Sequence, residues 1–274
     1  MMTNTQITKK LSIFLPTLWL SAFVLAPISI IFIISFLTAN LEHLVSLPFT
    51  LTNYRHLIDE NYLSIIIRSI LLAGSCTLCC LVIAYPFAFI IAQSNSRYKN
   101  LYLLFVIIPC WTSSLIRTYA IMALLKSKGI VNCFLIWLHV IEKPLPLIYN
   151  NYAVLFGLVY NLLPFMILPL YVNIEKLDHT LIDAARDLGA KWLTIFLRVI
   201  LPLTMPGITS GILLVFLPAM TLFYIPNILG GAKSMLLGNL IESQFLFANN
   251  WPQGAAISMV LVLITLIFLR HIKQ

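Results

Sequence analysis

The sequence predicts an all-helical membrane protein with about six transmembrane helices. Hydrophobic residues make up 61% of the chain and charged residues only 9%, whereas soluble domains carry about 25% charged residues. The apolar residues also form long runs without a charge, and these runs lack the alternation of polar and apolar residues found in barrel strands. Because backbone groups in lipid must be paired within their own segment, such runs form helices.

Six runs are close to or above the roughly 20 residues that cross about 30 Å of hydrocarbon. We predict spans at residues 11–36, 67–93, 101–124, 152–173, 203–223 and 252–270. The first run follows Lys9 and Lys10, as a secretion signal would, but it is too long for a signal core and lacks a small-residue cleavage site. It is therefore predicted to be an uncleaved span. The third reaches span length only if it continues past Arg117.

The distribution of basic residues predicts that both termini are cytoplasmic. In this orientation most of the 17 Lys and Arg residues lie on the inner side, in short loops beside span ends, where the positive-inside rule applies best. The formal charge of +8 then reflects topology. The basic residues are too dispersed to form a nucleic-acid-binding face.

Two regions are predicted along the chain. Residues 1–64 form an N-terminal transmembrane helix and a periplasmic loop, and residues 65–272 form the main membrane domain. Within the latter, residues 129–141 are only about half a bilayer long and suit a helix at the outer surface. Gly207 and Gly211 form a small-residue face that lets another helix approach closely, either inside the bundle or at a dimer contact.

The charged stretch at residues 178–202, called the coupling loop below, is the most informative segment. Thr180 and Asp183 resemble a capping box, which predicts a helix beginning at Leu181. Gly189 ends this helix after about two turns. Its predicted apolar face comprises Leu181, Ala184, Ala185 and Leu188. A second helix follows, with an apolar face of Trp192, Ile195, Phe196 and Val199. Such a helix–turn–helix can dock into a groove on a soluble partner.

The coupling loop resembles the cytoplasmic signature of ABC importer permeases, which reads E-A-A, three residues, G, nine residues, I, one residue, L-P. The matching residues, all at the family's spacing, are Asp183, Ala184, Ala185, Gly189, Val199, Leu201 and Pro202. Asp183 replaces Glu and Val199 replaces Ile. The resemblance implies that this loop contacts an ATP-hydrolysing subunit.

A longer resemblance, to the spermidine/putrescine permeases, covers most of the chain from about residue 50. It is carried by residues 86–93, 111–120, 157–171, 202–208, 213–233 and 251–256. It implies the type I ABC importer permease fold, polyamine transport across a bacterial inner membrane, and a heterodimer with a homologous second permease. The other implied partners are an ABC ATPase dimer and a periplasmic polyamine-binding protein.

No cofactor site is predicted in this chain. The closest approach to a P-loop, Gly231-Ala232-Lys233-Ser234, lacks the glycine before lysine, so ATP and Mg²⁺ are expected in the partner ATPase. The clustered Cys76, Cys79 and Cys80 lie within a span without His or carboxylate neighbours in sequence, which favours packing over metal binding.

A path for polycations should offer aromatic faces and carbonyl groups. The candidate residues are Tyr160, Asn161, Phe216, Phe223, Tyr224 and Glu242. Packing against lipid or at the interface is an equally good interpretation of each aromatic residue, and a solvated loop charge is the favoured interpretation of Glu242. Arg68 and Arg117 are predicted to extend to the outer interface, and pairing with Asp59 or Glu60 is the alternative.

Three alternatives remain at this point. The chain could be an ABC permease for another solute, such as iron, sulfate or a phosphonate, because the coupling signature is shared across substrates. It could be a membrane scaffold that recruits a soluble partner without transport. A proton-coupled carrier is disfavoured because the predicted spans contain no carboxylate.

Overall fold

The computed structural model describes residues 4–40, 44–231 and 234–272, and this part of the chain is helical as predicted. Its α-helices are α1 Asn4–Ile34, α2 Thr52–His56, α3 Glu60–Gln93, α4 Ser96–Trp111, α5 Ser114–Leu125, α6 Ile130–Trp137, α7 Asn151–Glu175, α8 His179–Asp187, α9 Trp192–Ile195, α10 Leu201–Leu203, α11 Met205–Thr221, α12 Leu237–Glu242 and α13 Trp251–Ile272. Five-residue π-helical turns cover Phe196–Ile200, Pro226–Gly230 and Ser243–Phe247. The P-loop-like Ala232 and Lys233, and the terminal Lys273, lie outside the described residues.

The prediction of about six spans is confirmed. Among the described residues, five helical segments are long and apolar enough to cross a membrane: Pro16–Ile34, Glu60–Gln93, Ser114–Trp137, Asn151–Glu175 and Trp251–Arg270. A sixth span forms if the bent pair Trp192–Leu203 and Met205–Thr221, which meet at 65°, is counted as one.

The predicted third span at 101–124 is wrong as a continuous helix. The chain breaks between α4 and α5, where Thr112 and Ser113 adopt extended backbone angles with ψ of 146° and 130°. The Thr112 hydroxyl donates to the Pro109 carbonyl at 2.8 Å and closes the end of α4. A hydroxyl that bonds to nearby backbone competes with helix continuation in this way.

The chain packs as two units, the first comprising residues up to Leu63 together with Leu240–Ile267. In this unit the part of α1 whose side chains the structure describes exposes apolar residues, among them Phe14, Trp19 and Phe23. The connection after α1 is held by the buried Asn53, whose Nδ2 donates to the Ser35 and Leu37 carbonyls at 3.0 and 2.8 Å. Asn250 caps α13, its Oδ1 accepting from the Gln253 backbone N–H at 3.1 Å.

The second unit contains Ser64–Asn239 and the residues from Phe268 onward, and α7 lies at its centre. Helix α11 packs along α7 through the predicted small-residue face. A Cβ on Gly207 would lie 2.8 Å from Asn173 Cβ, and one on Gly211 would lie 2.5 Å from Met166 Sδ. The two glycines therefore allow close packing within the bundle, which answers the question that the sequence left open.

The predicted helix at 129–141 forms over a shorter range, as α6. Its buried Asn132 fixes it to the connection before α7, because the amide accepts from the Leu145 N–H at 2.9 Å and donates to the Leu145 carbonyl at 3.1 Å. The side chains of Ile130, Phe134 and Trp137 are exposed.

Candidate coupling site and membrane cavity

Helix α8 begins two residues earlier than predicted. Its N-cap is Asp178, whose carboxylate accepts from the Thr180 backbone N–H at 2.9 Å. The capping box at Thr180 and Asp183 is therefore wrong. Both Asp178 and Thr180 are good capping residues, and Asp ranks slightly above Thr at the N-cap.

Gly189 ends α8 as predicted and adopts a left-handed backbone with φ of +75°. The Gly189 N–H donates to the Arg186 carbonyl at 2.8 Å, and the Ala190 N–H donates to the Ala185 carbonyl at 3.1 Å. This pair of bonds is the Schellman motif, which usually requires glycine at the left-handed position. The glycine thus sets the angle between α8 and the next helix.

The face of α8 that packs inward is centred on Ile182, beside the predicted apolar face. Ile182 is buried with Ile195 and Ile200, and these three residues are called the isoleucine cluster below. Of the four residues predicted to form the apolar face, only Ala185 packs against this cluster. Phe89 of α3 also packs against it. The cluster anchors α8 to the end of α3.

The opposite face of α8 is left open, although it contains apolar side chains. Leu188 is 88% exposed and Leu181 is 47% exposed, and Ala184 between them is also exposed. Asp183 and Arg186 form an exposed ion pair of 3.1 Å on the same helix, of a kind that contributes about 0–1 kcal/mol. An apolar surface of this kind commonly marks a protein contact.

The helical run after α8 differs from a regular helix at the π-helical turn Phe196–Ile200. A π-helical turn adds a residue per turn, which brings Ile195 and Ile200, five positions apart, into the same cluster. Val199 packs there too, as predicted. Leu201 is half-buried and Pro202 is exposed. The run continues through Pro202 to Leu203 and bends by 65° before α11.

A cavity of about 540 Å³, called the Asn161 cavity below, lies where α4 breaks from α5. Its polar lining consists of Thr112, Ser113, Ser114, Arg117, Asn161 and Tyr224. Asn161 is only 2% exposed. Its Nδ2 donates to the Gly157 carbonyl at 2.9 Å, while its buried Oδ1 has no hydrogen-bond donor within the described part of the chain. Tyr224 and Ser114 share a hydrogen bond of 2.6 Å.

The other candidate path residues lie in different places. Tyr160 lines a separate, largely apolar cavity of about 490 Å³. Phe216 is buried and stacks on Phe268 with ring centroids 4.2 Å apart, which places it in the core. Phe223 is exposed and contacts Tyr224 edge to face. Glu242 is half-buried in the first unit.

The two arginines of the predicted spans also differ from each other. Arg68 is exposed, as an interfacial arginine would be. Arg117 is half-buried, and its Nε and Nη1 are buried without an acceptor among the described residues. The prediction that Arg117 extends to the interface is therefore wrong, because the helix break turns it into the Asn161 cavity.

Residues 84–273 match the family described as "Binding-protein-dependent transport system inner membrane component". The match covers more than half of the chain, so this protein belongs to that family of inner-membrane transport permeases. The coupling loop and the Asn161 cavity both lie within the matched region.

Several relatives are similar over most of the chain. The spermidine/putrescine transport system permease protein PotB of Escherichia coli K12 is 49% identical over 90% of each chain. PotB of Haemophilus influenzae is 48% identical, covering 90% of this chain and 86% of the relative. The inner membrane ABC transporter permease protein YdcU of E. coli K12 is 31% identical, covering 82% of this chain and 75% of the relative.

Solved structures share the fold. A chain of a bacterial ABC transporter involved in the import of the acidic polysaccharide alginate matches with a TM-score of 0.77 and 16% identity, covering 98% of this chain and 96% of the other. A bacterial alginate ABC transporter in complex with an alginate pentasaccharide-bound periplasmic protein matches with a TM-score of 0.78 and 16% identity, covering 98% and 94%. The predicted permease fold is thereby confirmed.

Proposed function

We propose that this chain forms part of the membrane path of an ABC importer for polyamines, and that a separate ATPase drives it through α8. The main observation in favour of the coupling role is that α8 has one buried face and one exposed apolar face. Ile182 on one face is buried in the isoleucine cluster, while Leu188 on the other is almost fully exposed. A rigidly anchored helix with an open apolar face is suited to docking in a partner's groove.

The wider assembly follows from this role. The chain pairs with a homologous second permease, contacts an ABC ATPase dimer through the coupling loop, and receives substrate from a periplasmic polyamine-binding protein. Both termini lie in the cytoplasm. The chain is a transport subunit and not itself an enzyme, and ATP and Mg²⁺ bind in the ATPase. Its other contacts are with lipid, and none are with nucleic acid.

A movement of α8 would reach the membrane through packed side chains. The isoleucine cluster joins α8 to the helical run 192–203, and Phe196 of this run contacts Tyr85 of α3 with ring centroids 5.4 Å apart. The run meets α11 at the 65° bend, and α11 packs on α7. Packed helices of this kind transmit a displacement as rigid bodies.

The Asn161 cavity supports a cationic substrate. The buried Asn161 Oδ1 can accept a hydrogen bond from an ammonium group, and Trp111 and Tyr224, which also line the cavity, can place aromatic faces against a cation. The spermidine/putrescine permeases among the relatives support the same substrate class.

Uptake by the complete complex in proteoliposomes tests the substrate. Labelled spermidine or putrescine is supplied with the binding protein and Mg-ATP, and vesicles without ATP serve as the control. We expect ATP-dependent uptake that unlabelled polyamines compete away and that ferric iron, sulfate and phosphonates do not. Competition by one of the latter solutes would instead favour the corresponding ABC permease.

Photo-crosslinking tests the docking face. A photoreactive amino acid at Leu188 should crosslink to the ATPase, whereas the same group at Leu78, an exposed residue in the middle of α3, should not. Equal crosslinking from both positions would contradict the assignment of α8 as the contact. Crosslinking from Leu188 without ATP-dependent uptake would favour the scaffold alternative.

A further inference from the structure

Arg117 is half-buried, and its guanidinium group has no ion-pair partner among the residues that the structure describes. It lies in the first turn of α5, just after the break at Thr112 and Ser113, and lines the Asn161 cavity. Its Nε and Nη1 are buried, and no acceptor lies within hydrogen-bond distance of either atom in the part of the chain that the structure describes.

The acidic residues of the same unit are elsewhere. They are Glu142, Glu175, Asp178, Asp183 and Asp187, and none of them is among the described residues that line the cavity. Glu175 binds Lys99 at 2.9 Å and Asp183 binds Arg186 at 3.1 Å. Within this unit the cavity therefore contains a cation and no counter-charge.

Arginine side chains carry a positive charge in proteins. A buried charge without a partner is strongly destabilising, and buried charges are in practice paired. Arg117 therefore calls for an anionic group that the described residues around the Asn161 cavity do not supply.

We propose that a carboxylate side chain of the second permease subunit enters the Asn161 cavity and binds Arg117. The inference rests on the proposed assembly with a second permease. The guanidinium is a planar donor that binds a carboxylate through two N–H···O bonds, and two of its nitrogens are available here. The hydroxyl-bearing residues Thr112, Ser113 and Ser114 surround the same cavity.

The chemistry of transport favours a fixed carboxylate over a mobile anion. An unneutralised Arg117 would repel a polycation that enters the Asn161 cavity. A free anion would itself be attracted by the polycation and could leave with it. A carboxylate attached to the neighbouring subunit stays in place, so the Arg117 charge remains neutralised as each substrate passes.

The test measures how much of the second permease co-purifies with this chain from membranes in the absence of polyamine. This quantity is called recovery below. We expect Arg117→Gln to lower recovery by about tenfold or more, as for the loss of one member of a buried ion pair. Arg68→Gln is the matched control, since Arg68 is exposed, and it should leave recovery unchanged.

Neutralising the acidic residues of the second permease one at a time identifies the carboxylate that binds Arg117. Each acidic residue in or beside the second permease's spans is changed to its amide, alone and together with Arg117→Gln. One amide variant should lower recovery by itself, and its combination with Arg117→Gln should restore recovery to within about twofold of wild type, because no unpaired charge is then left. Restoration also shows that the Arg117 variant folds.

Three results would overturn the proposal. The first is normal recovery with Arg117→Gln. The second is a loss of recovery with Arg117→Gln that adds to the loss caused by every amide substitution in the second permease. The third is an equal loss of recovery by the wild-type chain when chloride is replaced or anionic lipid is removed. The anion bound to Arg117 would then be a free ion or a lipid headgroup. If the wild-type chain recovers no second permease, the proposed assembly fails as well, whereas a normal wild-type complex that is insensitive to Arg117 contradicts only this inference.

Discussion

The hydroxyl groups of Tyr85 and Thr204 are hydrogen-bonded at 2.9 Å, although the residues are 119 positions apart in the chain. Thr204 is fully buried and lies at the 65° bend between the run 192–203 and α11. Its hydroxyl also donates to the Leu201 carbonyl at 3.1 Å. The bond therefore ties α3 to the point where the coupling loop enters the membrane domain.

Replacing Tyr85 with Phe should loosen this bend. The loss of one buried hydrogen bond should lower the free energy of unfolding by about 1 kcal/mol, and uptake per ATP hydrolysed should fall because the bend transmits less movement. Thermal unfolding and paired uptake and hydrolysis assays measure the two effects. Tyr98→Phe, at an exposed tyrosine, should change neither quantity.

Gly189→Ala should destabilise the coupling loop through the backbone alone. A Cβ at Gly189 would meet no atom within 4 Å, but a left-handed backbone costs an L-residue about 1–2 kcal/mol. Gly74 has equally open surroundings within the regular helix α3, so Gly74→Ala should be neutral or stabilising. Thermal unfolding of the two purified variants gives the comparison, and equal shifts would contradict the conformational account.

The α7–α11 contact should tolerate alanine at Gly211 better than at Gly207. At Gly207 a new Cβ would lie 3.0 Å from the Pro169 carbonyl oxygen and close to Asn173 Cβ, whereas at Gly211 the closest atom belongs to the flexible Met166 side chain. We expect Gly207→Ala to cost about 1–3 kcal/mol. Chemical denaturation measures both variants, and the reverse order of stability would show that the contact is less rigid than described.

Asn161→Leu should lower transport more than stability. The side chain makes one bond to a helix carbonyl, so unfolding should change little. A hydrogen bond to a charged group contributes about 1.5–3 kcal/mol, so polyamine uptake should fall by roughly tenfold or more.

Asn132→Leu is the matched control for this prediction. Asn132 is fully buried and bonds to backbone groups of Lys126 and Leu145. Its loss should lower stability by about 1–3 kcal/mol and leave uptake per folded molecule unchanged. Normal uptake by Asn161→Leu would remove this residue from the path.

Composition and charge-free runs were sufficient to predict the helices that cross the membrane, except for the third span, where the chain breaks at Thr112 and Ser113. The predicted fourth span at 152–173 became α7, Asn151–Glu175, and the sixth at 252–270 became α13, Trp251–Ile272. Lipid imposes a minimum length and an apolar surface, and both properties are visible in the residues themselves. The end of α8 at Gly189 was likewise predictable, because a helix end with a left-handed residue favours glycine at that position.

The sequence was silent or misleading where tertiary contacts decide between local alternatives. Leu181 and Leu188 fit the helical period as well as Ile182 does, and only the positions of Ile195 and Ile200 determine which face is buried. The π-helical turn that aligns those two isoleucines has no sequence signal of its own. In the same way, the break at Thr112 and Ser113 turns Arg117 inward. The prediction that Arg117 extends to the interface used only its position near the end of a predicted span, and it was wrong.

Polyamine uptake and ATP hydrolysis, measured together on the assembled complex, test the coupling role of α8 most directly. The variant is Leu188→Asp, which changes the open face of α8 without touching the isoleucine cluster, so folding and insertion should be preserved. Our account predicts that polyamine uptake and transport-stimulated hydrolysis are both lost while thermal unfolding of the purified chain is unchanged. Uptake and stimulated hydrolysis at their wild-type rates, with Leu188→Asp present in the complex, would contradict the account.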